Sequence, residues 1–312
     1  MQLEYEIVAE GLAFPEGPVW MEDGSIILVE IAAGRITRVR PDGSTETVAE
    51  PGGGPNGLAV GPDGALYCCN NGGFQWTEQD GMRIPGRAPD DYECGRIERI
   101  DIASGKVERL YDSFEGHKLS GPNDIVFEAP DAHGGNPGFW FTDLGKIRDT
   151  GHDHGGLYWA KADGSEIRQA AYGPNMNGVG LSPDGKTAYA ALTNDRQVIA
   201  MDIKGPGEIG APVLPGFPGR VVHGWGGRTL LDSLAVDAAG HVCVATLVET
   251  PGIASIDPAT GETMQYDFPD LLTTNICFGG ADMRDAWVCL STTGKLAKVR
   301  WPEPGLRLAH YA

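Results

Sequence analysis

The sequence is short of basic residues and has no long apolar run, and each shortage excludes a class of protein. The 312 residues include 24 Lys and Arg against 43 Asp and Glu, which gives a formal net charge of −19. An acidic chain of this kind repels nucleic acids and anionic membrane surfaces, so neither is expected as a partner. The longest apolar runs, such as residues 26–29, have the length of a strand and are far too short to span a bilayer.

Cysteines are also few. The chain has six, and none has the spacing of a metal site, which predicts reduced thiols and a cytoplasmic protein. The adjacent Cys68 and Cys69 could form a strained disulfide, but alternation within a strand is the favoured interpretation. The first six residues lack a basic segment followed by an apolar one, so no signal peptide is expected.

A short pattern recurs six times along the chain. Each copy begins with a polar residue, continues through an apolar run and a turn, and ends in a second apolar run. Neighbouring copies begin between 40 and 67 residues apart, and the opening residues are Glu16, Asn56, Asn123, Asn177, Asp232 and Asn275. Units of roughly 40–50 residues, rich in β-formers and in Gly and Pro turns, are typical of a propeller. The sequence therefore predicts an all-β, six-bladed β-propeller with four-stranded blades, in a single domain spanning residues 1–312.

The position of the opening residues within each unit predicts where they lie. Each one enters the first strand of its blade, which is the innermost strand of a propeller, so the six should converge on one mouth of the central channel. Residues 5–9 and 295–299 both alternate like strands. Pairing between these two segments would close the ring and remove its open edge.

A simpler interpretation of two copies is a hairpin turn. Asn56-Gly57 and Asn177-Gly178 have the composition of a type I′ turn. However, each unit already has a later Asp-Gly turn, and Glu16 occupies the same position, where a type I′ turn does not favour Glu. The position at the channel mouth is therefore the favoured interpretation.

The same topology sorts the connecting loops between the two faces. It places the long insertion of residues 70–95 over the mouth, either as a lid or pocket wall or as a surface loop without function. It also brings His152 and His154 to the mouth, where an imidazole could act as a general base near neutral pH.

The chemistry of the ring suits a hard divalent cation. Two carboxylates, Glu16 and Asp232, and several carboxamides are all oxygen donors, which Ca²⁺, Mg²⁺ or Mn²⁺ prefer. A metal or water that only plugs the channel is the alternative. Polar and aromatic residues in the mouth loops favour a substrate site, because a plug would not require them.

Several motifs together resemble the regucalcin/gluconolactonase (senescence-marker-protein-like, lactone-hydrolase) family. They are residues 14–20, 121–124, 177–187, 232–237 and 275–280, so the resemblance extends over essentially the whole chain. It implies one catalytic divalent cation, Ca²⁺ first, with Mg²⁺, Mn²⁺ or Zn²⁺ as alternatives. It also implies Glu16, Asn177 and Asp232 as direct metal ligands and Asn123 as a further ligand or a substrate contact. Asn56 is assigned with Asn123 to substrate binding.

Two departures from that family concern the substrate. Sugar-lactone-hydrolysing relatives often have Arg two residues before the position of Asn123, where this chain has Gly121. Some have a Glu in the loop that here reads Thr150–His154. Since two hydroxyl-binding groups are lost, a larger or less polar lactone or cyclic ester is expected rather than a simple aldonolactone.

The predicted function is metal-dependent hydrolysis of a small-molecule lactone or ester. A bound cation would polarise the carbonyl, and Asp232, His152 or His154 would deprotonate the attacking water. Two alternatives stay open. One is phosphotriester or fluorophosphate hydrolysis, as in the related diisopropyl-fluorophosphatase-like propellers, and the other is a non-catalytic propeller that binds a ligand.

Overall fold

The computed structural model describes residues 1–212 and 214–310, which form six β-sheets around a central channel. The N-terminal strand β1 (Tyr5–Ala9) belongs to the last sheet. The strands of blade 1 are β2 (Pro15–Trp20), β3 (Ile26–Glu30), β4 (Arg35–Val39) and β5 (Thr45–Ala49), with a 3₁₀ turn at Ile31–Ala33. Those of blade 2 are β6 (Pro55–Val60), β7 (Leu66–Asn70), β10 (Arg96–Ile100) and β11 (Val107–Tyr111). Between its second and third strands lies a hairpin of β8 (Trp76–Gln79) and β9 (Met82–Pro85).

A second short hairpin, β12 (Ser113–Phe114) with β13 (His117–Lys118), leads into blade 3. The strands of blade 3 are β14 (Pro122–Phe127), β15 (Phe139–Asp143), β16 (Gly155–Ala160) and β17 (Ile167–Gly173), with a helical turn α1 at Ala132–Gly135. Those of blade 4 are β18 (Met176–Leu181), β19 (Thr187–Leu192), β20 (Gln197–Gly205), β21 (Glu208–Ile209) and β22 (Arg220–Gly224). Those of blade 5 are β23 (Thr229–Val236), β24 (Val242–Val248), β25 (Gly252–Ile256) and β26 (Thr263–Asp267). Blade 6 consists of β27 (Thr273–Gly279), β28 (Asp285–Leu290), β29 (Lys295–Arg300) and the N-terminal β1.

The predicted six-bladed, four-stranded propeller is confirmed, with one elaboration. In blade 4 the third strand, β20, pairs with both β21 and β22, so that sheet has five strands. The predicted ring closure is also confirmed, because β1 pairs antiparallel with β29, from Tyr5 opposite Val299 to Ala9 opposite Leu296.

The hydrophobic core lies between the blades. Six apolar clusters occur, one at each interface between neighbouring blades. At the interface of blades 3 and 4, for example, Trp140 and Trp159 are completely buried with Met176. Each sheet therefore buries its faces only against its neighbours, as is usual in repeat architectures.

A β-bulge near the start of every inner strand positions the opening residues. The register of the inner hairpin shifts between Glu16 and Val19 in blade 1, and a corresponding shift occurs in each of the other five blades. A bulge leaves residues out of the ladder and redirects their side chains. Asn56 and Asn177 lie inside β6 and β18 and not in hairpin turns, so the turn interpretation is wrong.

Glycines let neighbouring inner strands approach closely at these bulges. A Cβ atom on Gly17, which has φ +50°, would lie 2.2 Å from Asn56 O, and one on Gly57 would lie 2.5 Å from Asn123 O. No side chain fits at such distances, so the narrow neck of the channel depends on glycine at these positions.

The C-terminal segment crosses the opposite face of the channel. Leu306 N donates to Val236 O in blade 5 (3.1 Å), and the His310 ring packs against Phe127 in blade 3, with 5.4 Å between ring centroids. A cavity of about 640 Å³ lies along the channel between this segment and the ring of opening residues. In the described part of the chain, no helix is long and apolar enough to cross a membrane.

Candidate functional site

The six opening residues lie on adjacent inner strands that contact one another in sequence around the channel. Five of them are buried, with exposed fractions of 2–5%: Glu16, Asn56, Asn123, Asn177 and Asn275. Asp232 is partly exposed. The structure therefore brings together the residues that the repeat singled out.

Glu16 is held by donors on three sides. Its Oε2 accepts hydrogen bonds from Gly17 N (2.8 Å) and from Asn275 Nδ2 (2.7 Å), and the Thr274 hydroxyl also bonds to the carboxylate. Burial raises the pKa of Glu16, and these three hydrogen bonds oppose that rise. Asn275 thus serves as a support for Glu16, which sequence reasoning had not assigned.

Asp232 is oriented mainly by Asn177, whose side chain forms a hydrogen bond with its carboxylate. Burial, and next the charge of Glu16, raise the pKa of Asp232 well above its ordinary value. Asn177 is itself fixed through its backbone, because the Thr142 hydroxyl donates to Asn177 O and accepts from Asp124 N (3.1 Å).

A third carboxylate, Asp124, adjoins the ring and was not anticipated. Its Oδ1 accepts from Ile125 N (3.0 Å) and its Oδ2 from Val179 N (3.3 Å) on the next inner strand. Burial, followed by the charge of Glu16, raises the pKa of Asp124 to about 7. The available signal was Asn123-Asp124, where two other copies of the motif have Asn-Gly.

Two carboxamide oxygens of the ring have no hydrogen-bond partner. Asn123 Oδ1 and Asn177 Oδ1 are both buried and unpaired. Unpaired buried acceptors are rare in native proteins and require an explanation, such as an ion or a water. Among the described residues, no three His, Cys, Asp or Glu side chains cluster closely enough to hold a metal ion. Carboxamide oxygens make up half of the predicted ligand set, with only two carboxylates beside them.

The two predicted histidines lie in the loop between β15 and β16. His154 Nδ1 is 3.0 Å from Gly173 O, and its ring packs against Tyr172, both on the outermost strand of blade 3. His152 is exposed and bridges to Ile147. These contacts connect His154 with the outer side of the blade, and the catalytic role of either histidine stays a prediction.

The insertion of residues 70–95 extends from blade 2 to three other blades. Arg83 N donates to Thr292 O in blade 6 (2.9 Å), and Ala88 N donates to Ile147 O in blade 3 (2.9 Å). The Trp76 ring lies 5.0 Å from that of Phe14, which precedes the first strand of blade 1. Because these partners are in loops of the mouth face, the insertion crosses that face as the topology predicted.

Fold and site together define the class of protein: a six-bladed β-propeller with carboxylate and carboxamide side chains converging on one mouth of its channel. Residues 14–292 match the family described as the SMP-30/Gluconolactonase/LRE-like region. The chain belongs to this family, which confirms the resemblance drawn from the motifs.

Individual relatives are distant. A gluconolactonase of Zymomonas mobilis is 24% identical over 201 residues, 60% of this chain and 51% of that protein, so the match spans about half the length of this curated relative. The structure of a gluconolactonase from Xanthomonas campestris has a TM-score of 0.74 at 20% identity, covering 96% of this chain and 90% of that one. A calcium-binding protein, regucalcin, from Agrobacterium tumefaciens has a TM-score of 0.69 at 19% identity, covering 99% of both chains. At these identities the structural likeness shows the fold alone.

Proposed function

We propose that the protein is a metal-dependent lactonase, which opens the ring of a lactone or cyclic ester by hydrolysis. The observation that carries the proposal is the pair of unpaired carboxamide oxygens, Asn123 Oδ1 and Asn177 Oδ1, in the same ring as the carboxylates Glu16 and Asp232. Membership of the gluconolactonase family and the activity named for the Zymomonas and Xanthomonas relatives support it.

The donor set fits a hard divalent cation. Glu16, Asn123, Asn177 and Asp232 would hold it, and two carboxylates with two neutral oxygens leave further positions for water and substrate. Ca²⁺ is the first choice, because the regucalcin neighbour is described as calcium-binding. When bound, such an ion supplies Lewis-acid polarisation of the carbonyl and positive charge for the developing oxyanion.

The residues of the chain would then carry out the proton transfers. Asp232 takes a proton from the attacking water, whose oxygen adds to the carbonyl carbon. The ester C–O bond breaks, and the leaving alkoxide receives a proton, which gives a hydroxy acid. Asn177 keeps the Asp232 carboxylate oriented, and Asn56 and Asn123 would hold the substrate. His152 and His154 are the second choice as base.

The surroundings of Gly121 support a substrate other than a simple aldonolactone. A Cβ atom on Gly121 would lie 2.4 Å from Gly145 O, so the backbone of the neighbouring loop fills the space that an Arg side chain would need. Asp143 fixes this arrangement, because its carboxylate accepts hydrogen bonds from Gly121 N and Gly145 N, both at 2.7 Å. We therefore propose a less polar or larger lactone.

All six cysteines are free thiols, which suits a reducing compartment, and we propose the cytoplasm.

The test is proton release over a panel of lactones, from aldonolactones to alkyl and aromatic ones, with a phosphotriester included. Each substrate is measured before chelation, after chelation, and after Ca²⁺ or Mn²⁺ is restored. Lactone turnover that disappears with the chelator and returns with the metal is the expected result. Faster turnover of the phosphotriester would replace the proposal with a phosphoester hydrolase, and no turnover of any substrate would favour a ligand-binding propeller.

A further inference from the structure

A four-residue segment of blade 3 holds the mouth insertion at its base. We call residues 146–149 the clasp. Ile147 O accepts the hydrogen bond from Ala88 N on the returning arm of the insertion. Asp149 Oδ1 lies 3.1 Å from Arg87 Nε, and the Arg148 guanidinium lies 4.7 Å from the centre of the Tyr92 ring.

Lys146 is the buried member of the clasp, with an exposed fraction of 1%. Its Nζ donates to Asn71 Oδ1 (3.1 Å) and to Gly73 O, both on the outgoing arm of the insertion. The same nitrogen lies 3.9 Å from the centre of the Phe74 ring. Two oxygens therefore accept from the amine, which keeps an N–H donor for each of them when it is neutral, and the Phe74 ring covers another side of the nitrogen.

We propose that Lys146 is the positioning residue of the mouth insertion: its amine fastens the outgoing arm at Asn71, Gly73 and Phe74 to blade 3, and so keeps residues 70–95 closed over the site. The geometry supports a specific role, because lysine is almost never fully buried unless it is paired. Removal of the amine would leave Gly73 O without this donor and Asn71 Oδ1 with the Gly73 amide as its remaining donor (2.8 Å).

The charges around Lys146 decide how closure depends on pH. From its own blade it faces Asp143, Asp153 and Arg148, and from the insertion it faces the Tyr92 phenol. Burial lowers the pKa of Lys146 from 10.5 to about 7. If the insertion opens and exposes the amine, its pKa returns towards 10.5, so the open form binds more protons between these values. Raising the pH above 7 therefore favours the closed form.

Hydrogen exchange of the insertion tests this role without any substrate. The amides of Arg83 and Ala88 donate to Thr292 O and Ile147 O in other blades and report its opening. After correction for intrinsic exchange rates, the opening constant in the native protein should be about ten-fold lower at about pH 8 than at about pH 6. In Lys146→Met it should be independent of pH. At about pH 8 the variant should open about ten-fold more readily than the native protein, a difference of about 1.4 kcal/mol.

Arg87→Gln is the matched control. It breaks the exposed part of the clasp, where Arg87 pairs with Asp149 and Asp90, and should increase opening slightly and equally at both pH values because a guanidinium does not titrate there. Equal opening of Lys146→Met and the native protein at both pH values would overturn the proposal. If Lys146→Met does not fold, the pH dependence of the native protein is the remaining test. Opening of the insertion that does not change with pH would overturn the proposal.

The consequence for catalysis rests on the proposed function. A loosened insertion in Lys146→Met should raise KM for a lactone and leave kcat and cation affinity unchanged, because none of the predicted ligands contacts the lysine. Absence of lactone turnover in the native protein would refute the proposed function and leave the exchange result standing. An unchanged KM together with normal exchange would refute the role of Lys146 and leave the lactonase standing.

Discussion

The two carboxylates of the ring are held in different ways, and the difference supports the roles that we propose for them. The Glu16 carboxylate accepts hydrogen bonds from Gly17 N, Asn275 and Thr274, which restrict its movement. Asp232 is partly exposed, and its side-chain partner is Asn177. A proton acceptor must reach a water molecule, so Asp232 suits the role of base, whereas Glu16 suits that of a fixed ligand.

Asp232→Asn tests the assignment of the base. The amide keeps the shape of the carboxylate but cannot take a proton, so kcat for a lactone should fall by about 10²–10⁴-fold. Stopped-flow or pH-stat kinetics would measure it, with cation affinity followed in the same protein. Asp184→Asn, in an exposed turn on the opposite face, is the control and should retain full turnover. An Asp232→Asn enzyme with bound metal and nearly native turnover would transfer the role to His152 or His154.

Gly57→Ala tests the close approach of the inner strands. The added methyl group would lie 2.5 Å from Asn123 O and 2.7 Å from Asp124 Cα, so the strand that presents Asn123 must shift. Overpacking of this kind costs about 1–3 kcal/mol of the free energy of unfolding. Turnover should fall as well, because Asn123 moves with its backbone. Gly226→Ala, where no atom lies within 4 Å, is the control. Native turnover in Gly57→Ala would show that the site tolerates a displaced Asn123.

The hairpin of β8 and β9 is separable from the blades. Its base is closed by Gln75 N to Arg87 O (2.9 Å) and Gly86 N to Gln75 O (2.8 Å), so residues 76–85 can be replaced by a short Gly turn. The six sheets should form as before, with KM for a lactone raised because one wall of the mouth is lost. Circular dichroism and steady-state kinetics would measure both effects. Loss of cation binding in this variant would contradict the separation of insertion and ring.

The location of the insertion could be predicted from the sequence, but its attachment could not. Successive strands of a blade run in opposite directions between the two faces. Any insertion after a second strand therefore lies on the mouth side, whatever its residues are. The clasp at Lys146 has no comparable signal, because a lysine in a loop is normally exposed. The bulges of the inner strands were missed for a related reason. The six opening residues were visible, whereas a register shift depends on the pairing partner and not on the strand alone.

Closure of the whole ring depends on the first strand. β1 covers the edge of β29, and Ala9 belongs to the apolar cluster between blades 6 and 1. Deletion of residues 1–9 should lower the midpoint of denaturant unfolding and promote aggregation through the exposed edge of β29. Light scattering would detect the aggregation. Deletion of the first two residues, which precede β1, is the control. A fully stable, monodisperse protein without residues 1–9 would mean that the other strands close the ring unaided.

Each copy of the motif repeats the same order of polar residue, apolar strand, turn and second strand. This repetition made it possible to predict the number of blades, the strand that closes the ring and the residues of the mouth. Asp124 was missed, because its one signal is that it replaces the Gly that follows Asn in two other copies, at Gly57 and Gly178, and that signal does not distinguish a buried carboxylate from a solvated one. The C-terminal segment across the opposite face was missed as well. Its residues 301–310 lie outside the repeat and are placed by contacts with distant strands, such as that of Leu306 with Val236.

We propose above all that the ring binds one cation and that hydrolysis requires it. The direct measurement is a Ca²⁺ titration of metal-free protein, followed by calorimetry and by lactone hydrolysis in the same samples. We predict that one cation binds per chain and that turnover rises in proportion to occupancy up to one equivalent. The Asn177→Ala variant should lose both cation binding and turnover. Full turnover by metal-free protein, or binding of one cation without turnover of any lactone in the panel, would contradict the account.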